Sequence, residues 1–241
     1  MIKLSERMNA VASLVTKGSI LCDVGTDHGY VPIALIENNC VQRAIAVDIN
    51  RGPIERAKEH IKGCGLEDKI ETRLSDGLAA VEPGEVSSII IAGMGGELVI
   101  HILSEGEDVC KASQEMILQP QSDIWKVRQY IRNNGYEIVE ENMVYEDDKF
   151  YPMMKVKKAN DTFEFKKQDE KLTMVYDTYG PKLIQNKNEV LKKYLEKEHK
   201  KLTDILSRLM KNNSSDKIAG RIEQLKTEIC YNELAYSLVK D

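Results

Sequence analysis

The sequence predicts an α/β fold: a doubly wound, mostly parallel sheet closed by an antiparallel hairpin, with a pair of antiparallel helices appended at the C-terminal end. Three observations carry this. Short apolar runs alternate with stretches of helical periodicity from residue 19 to residue 135. Two further strand-like runs are joined by "DDK", a connection too short for anything but an antiparallel return. Beyond about residue 160 the strand signals stop and a heptad-like repeat begins. A chain of 241 residues holds one full-sized domain and an appendage, expected here at 1–160 and 161–241.

Ser5 is the expected N-cap of a first helix, in which Met8, Val11, Ala12 and Val15 recur at helical spacing. "SILCDVG" (19–25) reads as a buried strand. "YVPIALIENN" (30–39) reads as a helix that tolerates Pro32 in its first turn, where a backbone N–H would lack a partner anyway. "RAIAVDI" (43–49) is a strand and "GPIERAKEHIKGC" (52–64) the helix after it; "KIETRLSDG" (69–77) is a strand ending in a turn. "SSIIIAGM" (87–94), the most apolar strand, leads through Gly95-Gly96 into the helix "ELVIHILSEG" (97–106). "EMILQP" (115–120) is a strand stopped by Pro120, and a helix from Ser122 ends at the C-cap signal Gly135. "YEIVEENMVYE" (136–146) and "FYPMMKVKK" (150–158) form the closing hairpin. Such a sheet binds ligands at the C-terminal ends of its strands, and there the chain places its acids and glycines.

In the appendage, Leu191, Leu195, Leu202, Ile205 and Leu209 form one apolar seam; Ile218, Ile222, Leu225, Ile229, Tyr236 and Val239 form another. "NNSSD" between them supplies a loop and an N-cap, so the expectation is an antiparallel coiled-coil hairpin starting near Gly180 and Pro181, with Tyr179 and Tyr194 packed at its base. Such a hairpin satisfies its own seam, which predicts a monomer.

The net charge is −5, so no global basic field advertises a polyanionic partner. The charge is uneven, however. Residues 1–158 carry 18 Lys and Arg against 25 Asp and Glu, while residues 159–241 carry 16 against 14. Lys182 to Lys201 contains seven lysines against three glutamates, either a solvated helix face or a local basic patch. The five cysteines form no C-x-x-C pair and no metal-like spacing with the four histidines. Reduced thiols, no metal and a cytoplasmic location are therefore expected. The chain shows no signal-peptide pattern and no apolar run approaching 18 residues, so no membrane contact is expected.

"ILCDVGTDHGYVPIAL" (20–35) is a strand, a glycine turn and a helix. A dinucleotide would call for G-x-G-x-x-G, but the spacing here is Gly25-x-x-x-Gly29, and Asp23 and Asp27 would repel a pyrophosphate. No G-K-[ST] occurs, which excludes a triphosphate loop. A ligand with a cationic end and no phosphate suits the acidic turn, and S-adenosylmethionine offers a sulfonium, an ammonium, a ribose diol and an adenine. Gly25 lets the backbone pass close to its methionine part, and Asp23 or Asp27 can receive the ammonium. Asp48, in "AVDIN", can accept both ribose hydroxyls, with Ile49 covering one adenine face. Asp76-Gly77 can accept from the adenine amino group, with Leu78 alongside. Each acid alone is an ordinary turn residue; three at the ends of three successive strands form an ordered set.

Residues 20–158 resemble a Rossmann-like class I methyltransferase, whose closing antiparallel hairpin separates it from nucleotide-binding relatives. "SERMNAVASLV", "DVGTDHGYVPI", "AVDIN", "SDGL", "IAGMGG", "ILQPQ" and "DDKFYPM" together resemble the bacterial tRNA (adenine-N1)-methyltransferases that modify adenine 22 in the D-loop region. That family also carries a C-terminal coiled-coil hairpin, so the resemblance spans essentially the whole chain. It implies S-adenosylmethionine as cofactor and tRNA as partner, and it alone names the nucleotide.

The end of the fourth strand is informative by itself. Ala92-Gly93-Met94-Gly95-Gly96 offers no polar side chain to steer an exocyclic amine. Gly93 and Met94 are expected beside the cofactor, and Gly95 and Gly96 leave room for a flat ring. A ring nitrogen with its own lone pair needs no proton removed before attack. Catalysis then consists of alignment and a preorganised negative environment, for which Asp27 is the leading candidate. His28 and Tyr30 can stack on or hydrogen-bond to the base, and His28 and Gly29 line the cofactor turn. Arg7, Lys149 and Tyr151 are expected along the substrate groove, and Lys192, Lys193, Lys200 and Lys201 as a distal clamp on RNA. The rival readings are a methyltransferase of this fold acting on a small molecule or protein, a non-catalytic binder of S-adenosylmethionine, and an NAD(P) oxidoreductase.

Overall fold

The computed structural model describes residues 2–159, 169–211 and 216–240. They belong to two compact units, Met1–Phe163 and Glu164–Asp241, and the expected boundary at 160/161 lies outside the described residues.

The first unit contains α1 (Glu6–Ser13), β1 (Ser19–Val24), α2 (Tyr30–Glu37), β2 (Val41–Asp48), α3 (Arg51–Gly63), β3 (Ile70–Leu74), β4 (Ser88–Met94), α4 (Gly96–Glu105), α5 (Glu107–Ala112), β5 (Glu115–Pro120), α6 (Ile124–Asn133), β6 (Tyr136–Glu146) and β7 (Lys149–Lys158). The strands form one sheet in the order β3-β2-β1-β4-β5-β7-β6. β1 to β5 are parallel, and β7 runs antiparallel to both β5 and β6. This is the α/β sheet expected from the sequence. The chain reverses between β1 and β4, the position where an open sheet of this kind forms its ligand crevice.

Alternation along the central strands divides the core into two layers. Ile89 and Ile91 face the layer under α4, α5 and α6, whereas Ile90 faces the layer under α1, α2 and α3. All three are fully buried, each contributing roughly 2 kcal/mol of apolar burial. Ser5 caps α1 as expected, its hydroxyl accepting from the Met8 N–H at 3.3 Å. The hairpin turn is Asp147-Asp148, with φ of 48° and 60°. Both residues are left-handed, the geometry whose twist matches a tight antiparallel return. The Arg128–Glu141 pair, 2.9 Å between Nε and Oε1 and almost fully buried, ties α6 to β6.

β3 stops at Leu74 and Ser75 closes the expected turn: its hydroxyl accepts from the Ala80 N–H and donates to the Gly77 carbonyl, both at 3.0 Å. One element was not expected: α5, a six-residue helix.

The second unit holds α7 (Glu170–Tyr179), α8 (Pro181–Gln185), α9 (Glu189–Lys211) and α10 (Asp216–Lys240). α9 and α10 pack on each other, as the seam predicted, with Leu191, Leu195, Leu202, Ile222, Leu225 and Val239 buried. Residues 212–215 of the expected loop lie outside the described residues. α7 was not anticipated; it packs on α8 and α10, so the unit begins before Gly180. Tyr179 and Tyr194 do meet at its base, where both hydroxyls donate to Glu198, at 2.8 and 2.7 Å. Asn232, buried in the seam, donates to Glu198 and to the Leu195 carbonyl, at 3.1 Å each. Among the described residues no helix is long and apolar enough to cross a membrane, and no group of three His, Cys, Asp or Glu side chains forms a metal site.

Candidate active site

The C-terminal ends of β1 to β4 bring the acids and glycines of the sequence together. At the end of β1 the chain turns through Gly25 (φ 77°), and the Gly25 and Thr26 N–H groups both donate to the Val47 carbonyl, at 2.8 and 3.0 Å. These bonds lock the turn onto β2. A Cβ at Gly25 would meet only the terminal methyl of Met94, which can yield, so it is the left-handed backbone at φ 77° that favours glycine at this turn. Gly29 (φ 69°) opens α2 against Ala57 of α3.

Asp23 is buried beneath this turn. Burial pushes its carboxyl up to about 6; Thr26 works in the opposite direction, and the Asp48 carboxylate raises it further. Asp48, half-buried at the end of β2, accepts from the Asn50 N–H at 2.7 Å through Oδ1. Ile49 beside it is 59% exposed and Leu74, at the end of β3, 50%. Two large apolar side chains thus lie open at the ends of β2 and β3. Asp76 is exposed on the turn after β3, and Gly77 (φ 54°) follows it. Leu78 departs from expectation. It is buried against Gly106 and belongs to the core, so it offers no face to a ligand; Leu74 holds the exposed apolar position instead.

Asp27 lies on the surface of the turn. Its Oδ1 takes the Arg56 guanidinium of α3 and its Oδ2 the His28 Nε2 at 3.2 Å. The Arg56 hydrogen bond holds the carboxyl below its ordinary value, with the His28 charge adding to this. His28 stacks on Tyr30, ring centroids 4.9 Å apart and planes 14° from parallel. His60 of α3 completes a three-ring cluster, 5.3 Å from His28 and 5.0 Å from Tyr30. The His60 Nδ1 lies 3.0 Å from the His28 carbonyl, an acceptor, so His60 carries its proton on Nδ1. Arg56 and His60, four residues apart on one helix face, thus hold Asp27 and His28; the sequence reading passed over both.

The β4 end carries Gly93 (φ 81°), Met94, Gly95 and Gly96. Gly96 is a packing position: a Cβ there would overlap the Ser122 carbonyl oxygen. Gly95 is exposed, and a Cβ would meet only Ser122 Oγ, at 3.2 Å. Arg7 of α1 reaches the same end of the sheet. Its Nη1 donates to Gln119 Oε1 at 2.7 Å, and its guanidinium lies 5.2 Å from the centroid of the Tyr151 ring. Arg7, Tyr151 and Gly93 are therefore brought together, while Lys149 is exposed at the start of β7. Lys192, Lys193, Lys200 and Lys201 lie on α9 of the other unit; Lys192 is half-buried and the other three are exposed.

These residues fit S-adenosylmethionine on their own terms. A left-handed glycine turn, a buried carboxyl that is costly to ionise without a cation, and exposed apolar side chains beside a half-buried carboxylate match its backbone approach, ammonium, adenine and ribose.

Comparison with known proteins agrees with this fold. A family described as a methyltransferase domain matches residues 4–154. A tRNA (adenine(22)-N(1))-methyltransferase of Bacillus subtilis is 36% identical over 153 residues, covering 64% of this chain and 64% of that protein. A solved structure from Streptococcus pneumoniae, whose suggested activity is tRNA m1A22 methylation, superposes with a TM-score of 0.85 at 32% identity, covering 97% of this chain and 100% of that one. The structure of the Streptococcus pneumoniae protein in complex with S-adenosyl-L-methionine gives a TM-score of 0.82 over the same shares of the two chains. The chain therefore belongs to the methyltransferase-domain proteins and, within them, to the family of the bacterial tRNA (adenine(22)-N1)-methyltransferases.

Proposed function

We propose that this protein transfers a methyl group from S-adenosylmethionine to N1 of adenine 22 in the D-loop region of tRNA, in the cytoplasm and as a monomer. The observation that carries the reaction class is the acidic set on β1 to β3 facing a β4 end with no polar side chain. The nucleotide rests on the likeness to the Bacillus subtilis enzyme.

In this reading Asp23 takes the cofactor ammonium, Asp48 the ribose diol, and Asp76 the adenine amino group, with Ile49 against the ring. When bound, S-adenosylmethionine supplies a methyl carbon on a positively charged sulfur. Adenine N1 attacks with its own lone pair as the carbon–sulfur bond breaks and its electrons pass to sulfur. No residue has to remove a proton. The protein's contribution is alignment and charge. Arg56 keeps Asp27 ionised, and although both its oxygens already have partners, a carboxylate retains further lone pairs for the base as positive charge develops on it. Tyr30, 40% exposed, offers an aromatic face with His28 stacked beside it.

N1 lies on the Watson–Crick edge, so a paired target must be freed and turned outward before it can react. Arg7, Tyr151 and Lys149 form the near groove, and Gly95 leaves space for the ring. The lysines of α9 supply the local positive field that an acidic chain needs to hold a polyanion.

The test is transfer of labelled methyl from S-adenosylmethionine to unmodified tRNA, with the product nucleoside identified. N1-methyladenosine in a D-loop fragment supports the reading. Bound cofactor with no label in RNA overturns it and favours a small-molecule or protein substrate.

A further inference from the structure

β4 and β5 run in register until Ala92 faces Gln119, and then the register slips so that Met94 faces Pro120. Gly93 is the extra residue, left-handed at φ 81°, and its N–H has no place in the ladder. Gln119 supplies the missing acceptor. Its carboxamide is fully buried, and Oε1 accepts from the Gly93 N–H at 3.2 Å and from Arg7 Nη1 at 2.7 Å. Its Nε2 donates to the Pro120 carbonyl at 3.3 Å. One neutral side chain therefore ties the β4 bulge to an arginine from the first helix.

The Arg7 guanidinium lies over the Tyr151 ring, and no carboxylate pairs with it among the described residues. The Glu146 carboxylate meets the α1 backbone rather than the guanidinium, its Oε1 accepting from the Glu6 and Arg7 N–H groups at 2.7 and 3.4 Å. A glutamine rather than an acid fixes the position of the guanidinium, so its charge has no ion-pair partner among the described residues. Of its five N–H donors, the structure uses one on Gln119.

We propose that Gln119 is a positioning residue that holds Arg7 uncompensated beside the β4 bulge, ready to take an RNA phosphate next to the target nucleotide. This rests on tRNA being the substrate. Glutamate at position 119 would be almost the same size and would neutralise Arg7, while giving up the Nε2 hydrogen bond to the Pro120 carbonyl; the double variant and the salt slope separate the charge effect from that loss.

The experiment measures tRNA affinity across a salt series for the full-length wild type, Gln119→Glu, Arg7→Gln and the double variant, with S-adenosylmethionine affinity measured alongside. Gln119→Glu is expected to weaken tRNA binding roughly fivefold to tenfold and to reduce the slope of log K against log salt by about 0.7–0.9, the signature of one phosphate that is no longer neutralised. Cofactor affinity stays unchanged, and Gln119→Glu adds nothing in the Arg7→Gln background. A wild-type salt slope in Gln119→Glu, or an effect that adds fully to Arg7→Gln, overturns the proposal. Wild-type protein that binds tRNA with the expected variant pattern but transfers no methyl group sinks the proposed reaction and leaves the Gln119 assignment standing. Failure of the wild type to bind tRNA sinks both.

Discussion

The carboxyls of Asp23 and Asp48 end neighbouring parallel strands, and the buried one, Asp23, is pushed up to about 6 by desolvation with Asp48 adding to the effect. A buried acid that resists ionisation beside a second acid suits a site that receives a cation. Cofactor binding should then be coupled to loss of a proton from Asp23. Below about pH 6 the affinity for S-adenosylmethionine should fall by up to tenfold per pH unit, whereas between pH 7 and 8 it should be flat. Calorimetric titration across pH 5–8 checks this; a flat profile throughout would remove Asp23 from the cofactor site.

The same shift bears on folding. A carboxyl whose folded pKa lies above its unfolded value of 3.8 leaves the fold most stable below about pH 4, and that stability is lost as the pH rises through about 6. The loss amounts to about 3 kcal/mol by pH 7. Asp23→Asn should therefore raise the unfolding free energy of the cofactor-free protein at pH 7.5 by up to that amount, and by almost nothing at pH 4, while weakening cofactor binding. Urea denaturation at the two pH values gives the comparison. Equal effects at both would show that the ionisation of Asp23 is not what strains the site.

Asp27 behaves in the opposite way, since the Arg56 hydrogen bond holds it ionised well below pH 6. An acid limb near pH 6 in the methylation rate would therefore not be Asp27's. Arg56→Ala should leave the melting temperature within about 2 °C, because the ion pair is largely exposed. It should still reduce kcat roughly tenfold by releasing Asp27 and His28 from their positions. His60→Ala, which removes the donor to the His28 carbonyl and one ring of the cluster, should act in the same direction. Single-turnover rates at saturating cofactor are the measurement, and wild-type rates for both variants would reduce the cluster to surface packing.

The sheet was legible because its signals are local: the apolar run Ile89–Ile91, the strand-like runs joined by the short "DDK" connection, and an aspartate at the end of each of the first two strands and after the third. α5 and α8, of six and five residues, are too short to establish a period. Leu78 was misplaced because a residue after a strand can turn either way, and only the close approach to Gly106 shows that it turns inward. Arg56, His60, Gln119 and Glu146 act on partners 26 to 140 residues away in the chain. Spacing within one segment carries no information about such meetings, so the acids proposed for the ligand were readable and the groups that hold their neighbourhood in place were not.

Gly95 and Gly96 look alike in the sequence but separate in the structure. A methyl group at Gly96 would meet backbone on the β5–α6 connection, with the Asp123 carbonyl oxygen 3.0 Å away besides the overlap with Ser122. Gly96→Ala should destabilise the protein by about 2–4 kcal/mol, since backbone cannot yield as a side chain can. Gly95→Ala, at an ordinary φ of −65° and meeting only a serine hydroxyl, should cost under about 1 kcal/mol. If Gly95 leaves room for the target ring, its alanine variant should nevertheless raise KM for tRNA severalfold. Equilibrium unfolding and steady-state kinetics on the pair distinguish packing from substrate space.

The lysines of α9 offer the last contrast. Lys192 and Lys193 lie two turns before Lys200 and Lys201, and Leu191, Leu195 and Leu202 bury the seam between them. Replacing the four by glutamine leaves that seam and the Tyr179–Glu198–Tyr194 cluster untouched, so the melting temperature should barely move. A cut before Gly180 is a poorer experiment, because it leaves α7 without the α8 and α10 surfaces it packs on and exposes the buried Val175 and Tyr179. If the lysines hold RNA, the quadruple variant should lose roughly 10²-fold or more in tRNA affinity near 0.15 M salt. Its salt slope should fall by up to about 0.9 for each phosphate that is left without its lysine. Cofactor affinity, set on the other unit, should not change. An unaltered slope would mean that this basic face is only a solvated helix surface, and the search for the RNA-binding groups would return to Arg7, Lys149 and Tyr151.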